Sequence, residues 1–264
     1  MKQIIWAFLL PLCVMAKVHY AKVEPYESVT LKAAVSGLVL EVDLDAEGTL
    51  VDGKRVIHLD DRLDKINLTD TKESVTLLDQ SLAINEEVAS SLSETVKRQK
   101  SYYNRISKLP TASKTQKDNA YSAYASAKTQ YLGTKEKIIN LRKQLLDARY
   151  KVAMLEDTIE KKSVILRDKY LYKLMVREGD FVSPGTALAK VDDASRAKLV
   201  LFLEPEELNH IKEKDVYING QKTDYKVNKV WNVADEKFIS SYRAEIYIPA
   251  PKGHFSELVK VELK

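Results

Sequence analysis

The sequence predicts an α+β protein in which an antiparallel coiled-coil α-hairpin is inserted into a split β-sandwich and followed by a small β-barrel. Three observations carry that prediction. Two long heptad runs are separated by Pro110, a Gly-x-x-Val unit recurs on either side of them, and alternating strand patterns fill the chain after Ala197. Of the 264 residues, 45% are hydrophobic and 30% charged, with only 8 Gly and 7 Pro, a composition that excludes a disordered or loop-rich chain. The formal charge of +4 is spread over mixed signs with no basic stripe interleaved with aromatics, so nucleic acid is not an expected partner.

Residues 1–16 read as an export signal. Lys2 supplies a positive start, Ile4 to Met15 is an apolar run broken only by Pro11, and Val14-Met15-Ala16 suits a signal peptidase. That run is too short for a bilayer, which needs about 20 apolar residues. The single cysteine, Cys13, lies inside it, preceded by Leu10-Pro11-Leu12 rather than the small residues that lipid attachment requires. Cleavage after Ala16 leaves a thiol-free chain, which excludes disulfides, thiol catalysis and cysteine metal sites. No later segment is apolar enough to cross a membrane.

Residues 17–69 hold an N-terminal strand and the first half of the sandwich. A β-rich run from Val35 to Val42 leads into Gly48-Thr49-Leu50-Val51-Asp52-Gly53, then Lys54 to Leu59, then Asp60-Asp61. Residues 164–196 repeat the scheme: Tyr170 to Val176, then Gly179 to Gly185, Thr186 to Val191 and Asp192-Asp193. Each copy is a strand-turn-strand unit with glycine where the chain reverses. One such unit cannot bury a core, so two are expected to face each other as a sandwich. The doubled aspartates are expected to cap turns at strand ends.

Between the halves, residues 70–163 form the hairpin. Leu78, Leu82, Asn85, Ala89, Leu92, Val96, Gln99, Tyr103 and Ile106 follow the alternating four-three spacing of a coiled-coil seam. Ala120, Tyr124, Ala127, Tyr131, Thr134, Ile138, Leu141, Leu145, Ala148, Val152, Leu155 and Ile159 continue it after the break. Pro110 ends the first helix near Lys108, because proline loses a hydrogen bond and clashes with the preceding turn. Asp70 and Glu73 resemble a capping box at its start. Charged flanks such as Lys135-Glu136-Lys137 leave too narrow an apolar stripe for a compact bundle, so the hairpin projects. Residues 197–264 then carry strand patterns at Leu199 to Leu203, Val216 to Asn219, Tyr225 to Val230, Tyr242 to Ile248 and Leu258 to Leu263, with a short helix at Pro205 to Lys212.

Split sandwich halves around a hairpin, then a small barrel, resemble the HlyD-like membrane fusion proteins over essentially the whole chain after residue 16. The matching stretches are Ala34 to Val39, Gly48 to Asp61, Gly179 to Asp193 and the closing Phe255 to Leu263. The resemblance implies that the duplicated halves form a lipoyl-like domain. It also implies a periplasmic adaptor subunit, not an enzyme and without cofactor. Such a subunit links an inner-membrane transporter, of resistance-nodulation-division type first and ATP-binding-cassette type second, to a TolC-type outer-membrane channel. Its copies form a homo-oligomer, a hexameric ring. Lys169 stands where relatives carry a glycine at the opening of the second half, and no membrane-proximal fourth domain is expected. At the hairpin tip the resemblance assigns channel contact to Arg105, Leu109 and Ser113, the last three residues earlier than in relatives.

Other chemistry fits less well. His19, His58, His210 and His254 lack metal-ligand spacing, and only Met154 and Met175 lie beyond the signal. Lipoyl-like carrier domains acylate a lysine at the turn between halves, and Lys65 stands near that point, but a hundred-residue insertion follows it. A structural coiled coil without a transport partner is the alternative reading.

Overall fold

The computed structural model describes residues 17–235, 238, 240–251 and 254–264; the segment expected to be an export signal, with Cys13, lies outside them. Among the described residues, thirteen strands and two long helices follow in order: β1 (Val18–Lys32), β2 (Gly37–Val42), β3 (Thr49–Val51), β4 (Lys54–Leu59), α1 (Arg62–Lys108), α2 (Lys114–Lys161), β5 (Ser163–Leu166), β6 (Lys169–Leu174), β7 (Phe181–Val182), β8 (Ala187–Leu203), β9 (Val216–Ile218), β10 (Gln221–Lys222), β11 (Lys229–Ala234), β12 (Tyr242–Pro249) and β13 (Leu258–Leu263).

The helices, 47 and 48 residues long, pack antiparallel as a rod of about 70 Å at 1.5 Å per residue. Burial follows the heptad: Ala120, Ala127, Ile138 and Leu145 are buried on α2, and the small side chains let the axes approach. One flank of the seam is laced by ion pairs repeating every seven residues, Lys72–Glu156 at 2.7 Å, Asp79–Arg149 at 3.2 Å and Glu86–Arg142 at 2.7 Å. The first helix begins at Arg62 rather than near Asp70. Its added turns keep the same stripe, because Thr71 is buried there with its hydroxyl donating to the Asn67 carbonyl at 2.6 Å. The N-cap is Asp61, and Asp60 Oδ1 accepts from the Arg62 N–H at 3.1 Å.

The two strand groups flanking the rod interleave rather than standing face to face as separate units. A four-stranded sheet runs β5-β4-β2-β7, and β3 pairs with β6, so the pairings β4–β5, β2–β7 and β3–β6 each join a strand before the rod to one after it. One core serves both, drawing Val39, Val56, Ile57 and Leu59 from the first group and Leu166, Leu171, Leu174 and Val182 from the second. The β5–β6 turn closes on Asp168 at φ 48°, a left-handed conformation that Asp tolerates, which removes the need for a glycine at Lys169.

A second core gathers Ala21, Leu199, Leu201, Leu203, Val216, Ile246 and Val261 along the path β10-β9-β13-β1-β8-β12-β11. Here β1 and β8 are the shared members, because they run 15 and 17 residues through both cores. The strands expected at Thr186 to Val191 and Leu199 to Leu203 are therefore one. Asp192-Asp193 sit inside that strand, opposite Ser28 and Glu27 of β1, and not at a strand end as Asp60-Asp61 do. The stretch expected as a helix to Lys212 is a 3-10 turn, Pro205–Leu208, ended where His210 takes φ 53°. The strand expected from Tyr225 begins at Lys229, while Val227 is buried in the core.

Candidate partner-binding site at the hairpin tip

At its root the rod is held by charge. Lys162 is buried and donates to the Asp60 carbonyl at 2.7 Å while pairing with Asp64, and Lys65 pairs with buried Asp61 at 2.8 Å. His58 Nδ1 lies 3.2 Å from Ser163 Oγ, beside Asp61. Removing one partner of such a buried pair leaves an uncompensated charge, so this end is braced against the β core.

The other end is bare. The first helix ends at Lys108, and Leu109 leaves it with an extended backbone, its N–H bonded to the Ile106 carbonyl at 3.2 Å. Pro110 and Thr111 form the apex, and Ser113 starts the second helix through a complete capping box. Its hydroxyl accepts from the Gln116 N–H at 3.2 Å, and Gln116 Oε1 accepts from the Ser113 N–H at 2.9 Å. Below the apex Tyr103 stacks on Tyr124 at 6.2 Å and meets Tyr121 edge-on at 5.5 Å, a clasp that holds the turn.

All three residues assigned to the tip are exposed, with Arg105 on the last turn of α1, Leu109 just after it and Ser113 at the N-cap of α2. They differ in what they can offer. Leu109, 45% exposed, is an apolar knob, and Arg105 is a free cation. The hydroxyl oxygen of Ser113 is engaged by the backbone, so its first task is to start α2.

Three lysines missing from that assignment extend the surface. Arg105 shares a shallow groove of about 420 Å³ with Lys97, Lys100 and Lys108, and none of the four forms an ion pair among the described residues. Residues 97–118 carry seven basic side chains and one acidic, against a net charge of +4 for the whole chain. Like charges one helical turn apart repel, so this grouping destabilises the free helix and is relieved by an anionic surface. The spacing of these lysines was readable in the sequence; their lack of partners was not.

A two-helix rod rooted in one β unit and followed by another is the fold of the membrane fusion proteins. MacA from Actinobacillus actinomycetemcomitans superposes with a TM-score of 0.71 at 15% identity, over 94% of this chain and 78% of that one. The membrane fusion protein Spr0693 from Streptococcus pneumoniae R6 gives 0.59 at 12% identity, over 94% and 99%. A MacA-MexA chimera containing the Pseudomonas aeruginosa MexA α-hairpin domain gives 0.56 at 17% identity, over 94% and 80%. No family model matches the sequence, and no curated protein matches it. No helix among the described residues is long and apolar enough to cross a membrane.

Proposed function

We propose that this chain is a periplasmic adaptor subunit that links an inner-membrane transporter, of resistance-nodulation-division type before ATP-binding-cassette type, to a TolC-type outer-membrane channel. The carrying observation is the asymmetry of the rod: a buried, charge-braced root against an exposed tip with Leu109, Arg105 and unpaired lysines. In this reading the interleaved strands are a lipoyl-like sandwich and the last strands a small β-barrel that faces the transporter. The part is mechanical and not enzymatic, exported by residues 1–16, and without a cofactor.

A homo-oligomeric ring, of six copies in the family, has its own support. Leu63, Leu77 and Ile84 share one heptad column on α1, and Leu132, Ile139 and Leu146 share one on α2; all six are exposed. The ion-pair ladder occupies a column between the helices, so these apolar columns are left on opposite outer edges of the rod. Because one edge belongs to α1 and the other to α2, contact between them joins copies head to tail, the kind of contact that closes rings.

The test uses Cys13→Ser and Thr111→Cys, expressed in the native host with a short thiol-to-amine crosslinker and mass spectrometry. Thr111 at the apex is the probe position because Ser113 caps a helix. An outer-membrane channel subunit captured from residue 111, and not from a Ser240→Cys control, is the expected result. Self-crosslinks alone from a folded, abundant protein would favour the structural coiled coil.

A further inference from the structure

Where β1 and β8 pass from one core to the other, the sheet opens. Opposite the single Tyr26 of β1, β8 carries Ala194, Ser195 and Arg196, a bulge that lies between the Glu27–Asp193 and Pro25–Ala197 pairs. Bulges of this kind re-aim side chains, and this one borders a cavity of about 660 Å³, within the range of small-molecule sites. Its floor is one sheet face on which Ser28, Asp192 and Tyr170 stand opposite one another across β1, β8 and β6. Its roof is the Phe255–Ser256 turn, tied to β1 by the Ser256 N–H donating to the Val23 carbonyl at 2.7 Å.

Asp192 is the anomaly. It is 7% exposed, its Oδ1 is sealed from solvent without a hydrogen-bond partner, and no ion pair reaches the carboxylate among the described residues. A buried acceptor left unmade is destabilising, and the neighbouring Asp193 shows the contrast, with Ser195 and Lys169 donating to it. Nothing about Asp192 serves the rod or its tip.

The walls define what would complete it. Tyr170, Tyr172 and Phe255 offer aromatic surface, and Lys190 projects over the Tyr172 ring at 4.8 Å. Lys22 joins it on the rim without an ion pair among the described residues, whereas Lys198 lies 3.7 Å from Glu245. No group of three or more His, Cys, Asp or Glu among the described residues could hold a metal ion, and an ionised carboxylate accepts from an N–H or O–H donor. We propose that this cavity binds a small aromatic zwitterion of amino-acid type, its ammonium on Asp192, its ring against Tyr170 and Phe255, and its carboxylate toward Lys190 and Lys22.

Calorimetry with three matched probes on the full chain tests this: tryptophan, indole-3-propionate without the ammonium, and tryptamine without the carboxylate. Tryptophan is expected to bind roughly tenfold more tightly than either analogue. Asp192→Asn is expected to erase its advantage over indole-3-propionate, and Lys190→Ala its advantage over tryptamine. The wild-type comparison needs no variant to fold. Three probes of equal affinity, or no binding at millimolar concentration, would overturn the proposal.

Discussion

The rod and the β units divide the same chain into two ways of holding a shape. In the rod, only Thr71, Ala120, Ala127, Ile138 and Leu145 are buried, and large apolar residues such as Leu77, Ile139 and Leu146 stand in solvent. In the β units, two closed cores bury side chains such as Leu171, Leu199, Leu203 and Ile246 completely. A seam one stripe wide is dictated by local periodicity, tolerates water at its margins and leaves surface for partners. A closed core requires long-range strand pairing and leaves little surface unspent.

The sharpest way to break this contrast is to remove equal volume from each. Leu199→Ala is expected to destabilise the β units by about 2–5 kcal/mol, since it opens a sealed cavity. Ile138→Ala on the seam is expected to lose only about half as much, because water reaches the truncated site. Urea denaturation followed by near-ultraviolet signals for the strands and by far-ultraviolet helicity for the rod separates the two. Equal losses would mean that the rod is packed as a core.

Acid should divide the regions next. Asp193 is held down to about 2, first by the Ser195 hydroxyl and backbone N–H and then by Lys169. Asp215 is held at about 2 by Lys222 and Lys226, and Glu262 at about 2 by Lys260 and Lys264. A carboxylate whose pKa is lower folded than unfolded contributes stability above the unfolded value and loses it as pH falls through the folded one. All three lie in or next to strands, so thermal stability of the strands is expected to fall between about pH 4 and pH 2. High salt should shrink the Asp215 part of the effect most, because its pairs with Lys222 and Lys226 are exposed.

The smallest effect belongs to the apex. Ser113→Ala removes the cap and is expected to destabilise the rod by about 1 kcal/mol, with amide exchange rising at Lys114 to Lys117 and strand signals unchanged. Ser113→Asp, which keeps an acceptor at the cap, is expected to restore protection.

The same contrast explains what could be read in advance. The seam from Leu78 to Ile159 and the break at Pro110 were legible because heptad spacing is local. The start of α1 at Arg62 was obscured by polar residues on the stripe, where Thr71 is accommodated by bonding its own helix. In the β units, each strand's existence could be read but not its partners. Nothing near Asp192 reveals that β1 will lie across it, or that β8 will run unbroken between two cores. At the tip, Arg105 and Leu109 were found through resemblance, while the capping role of Ser113 emerges only from the Gln116 geometry.

The central claim is that the free end of the rod, and not its shaft, is the partner surface. Lys97, Lys100, Arg105 and Lys108 would be changed together to Gln, with Lys137 and Lys151 on the shaft changed to Gln as the control. Co-purification of an outer-membrane channel from the native host at low salt would be measured for each. The account predicts at least a tenfold loss of channel with the tip variant, none with the shaft variant, and unchanged helicity in both. Equal recovery of the channel by the tip variant and the unaltered protein would contradict it.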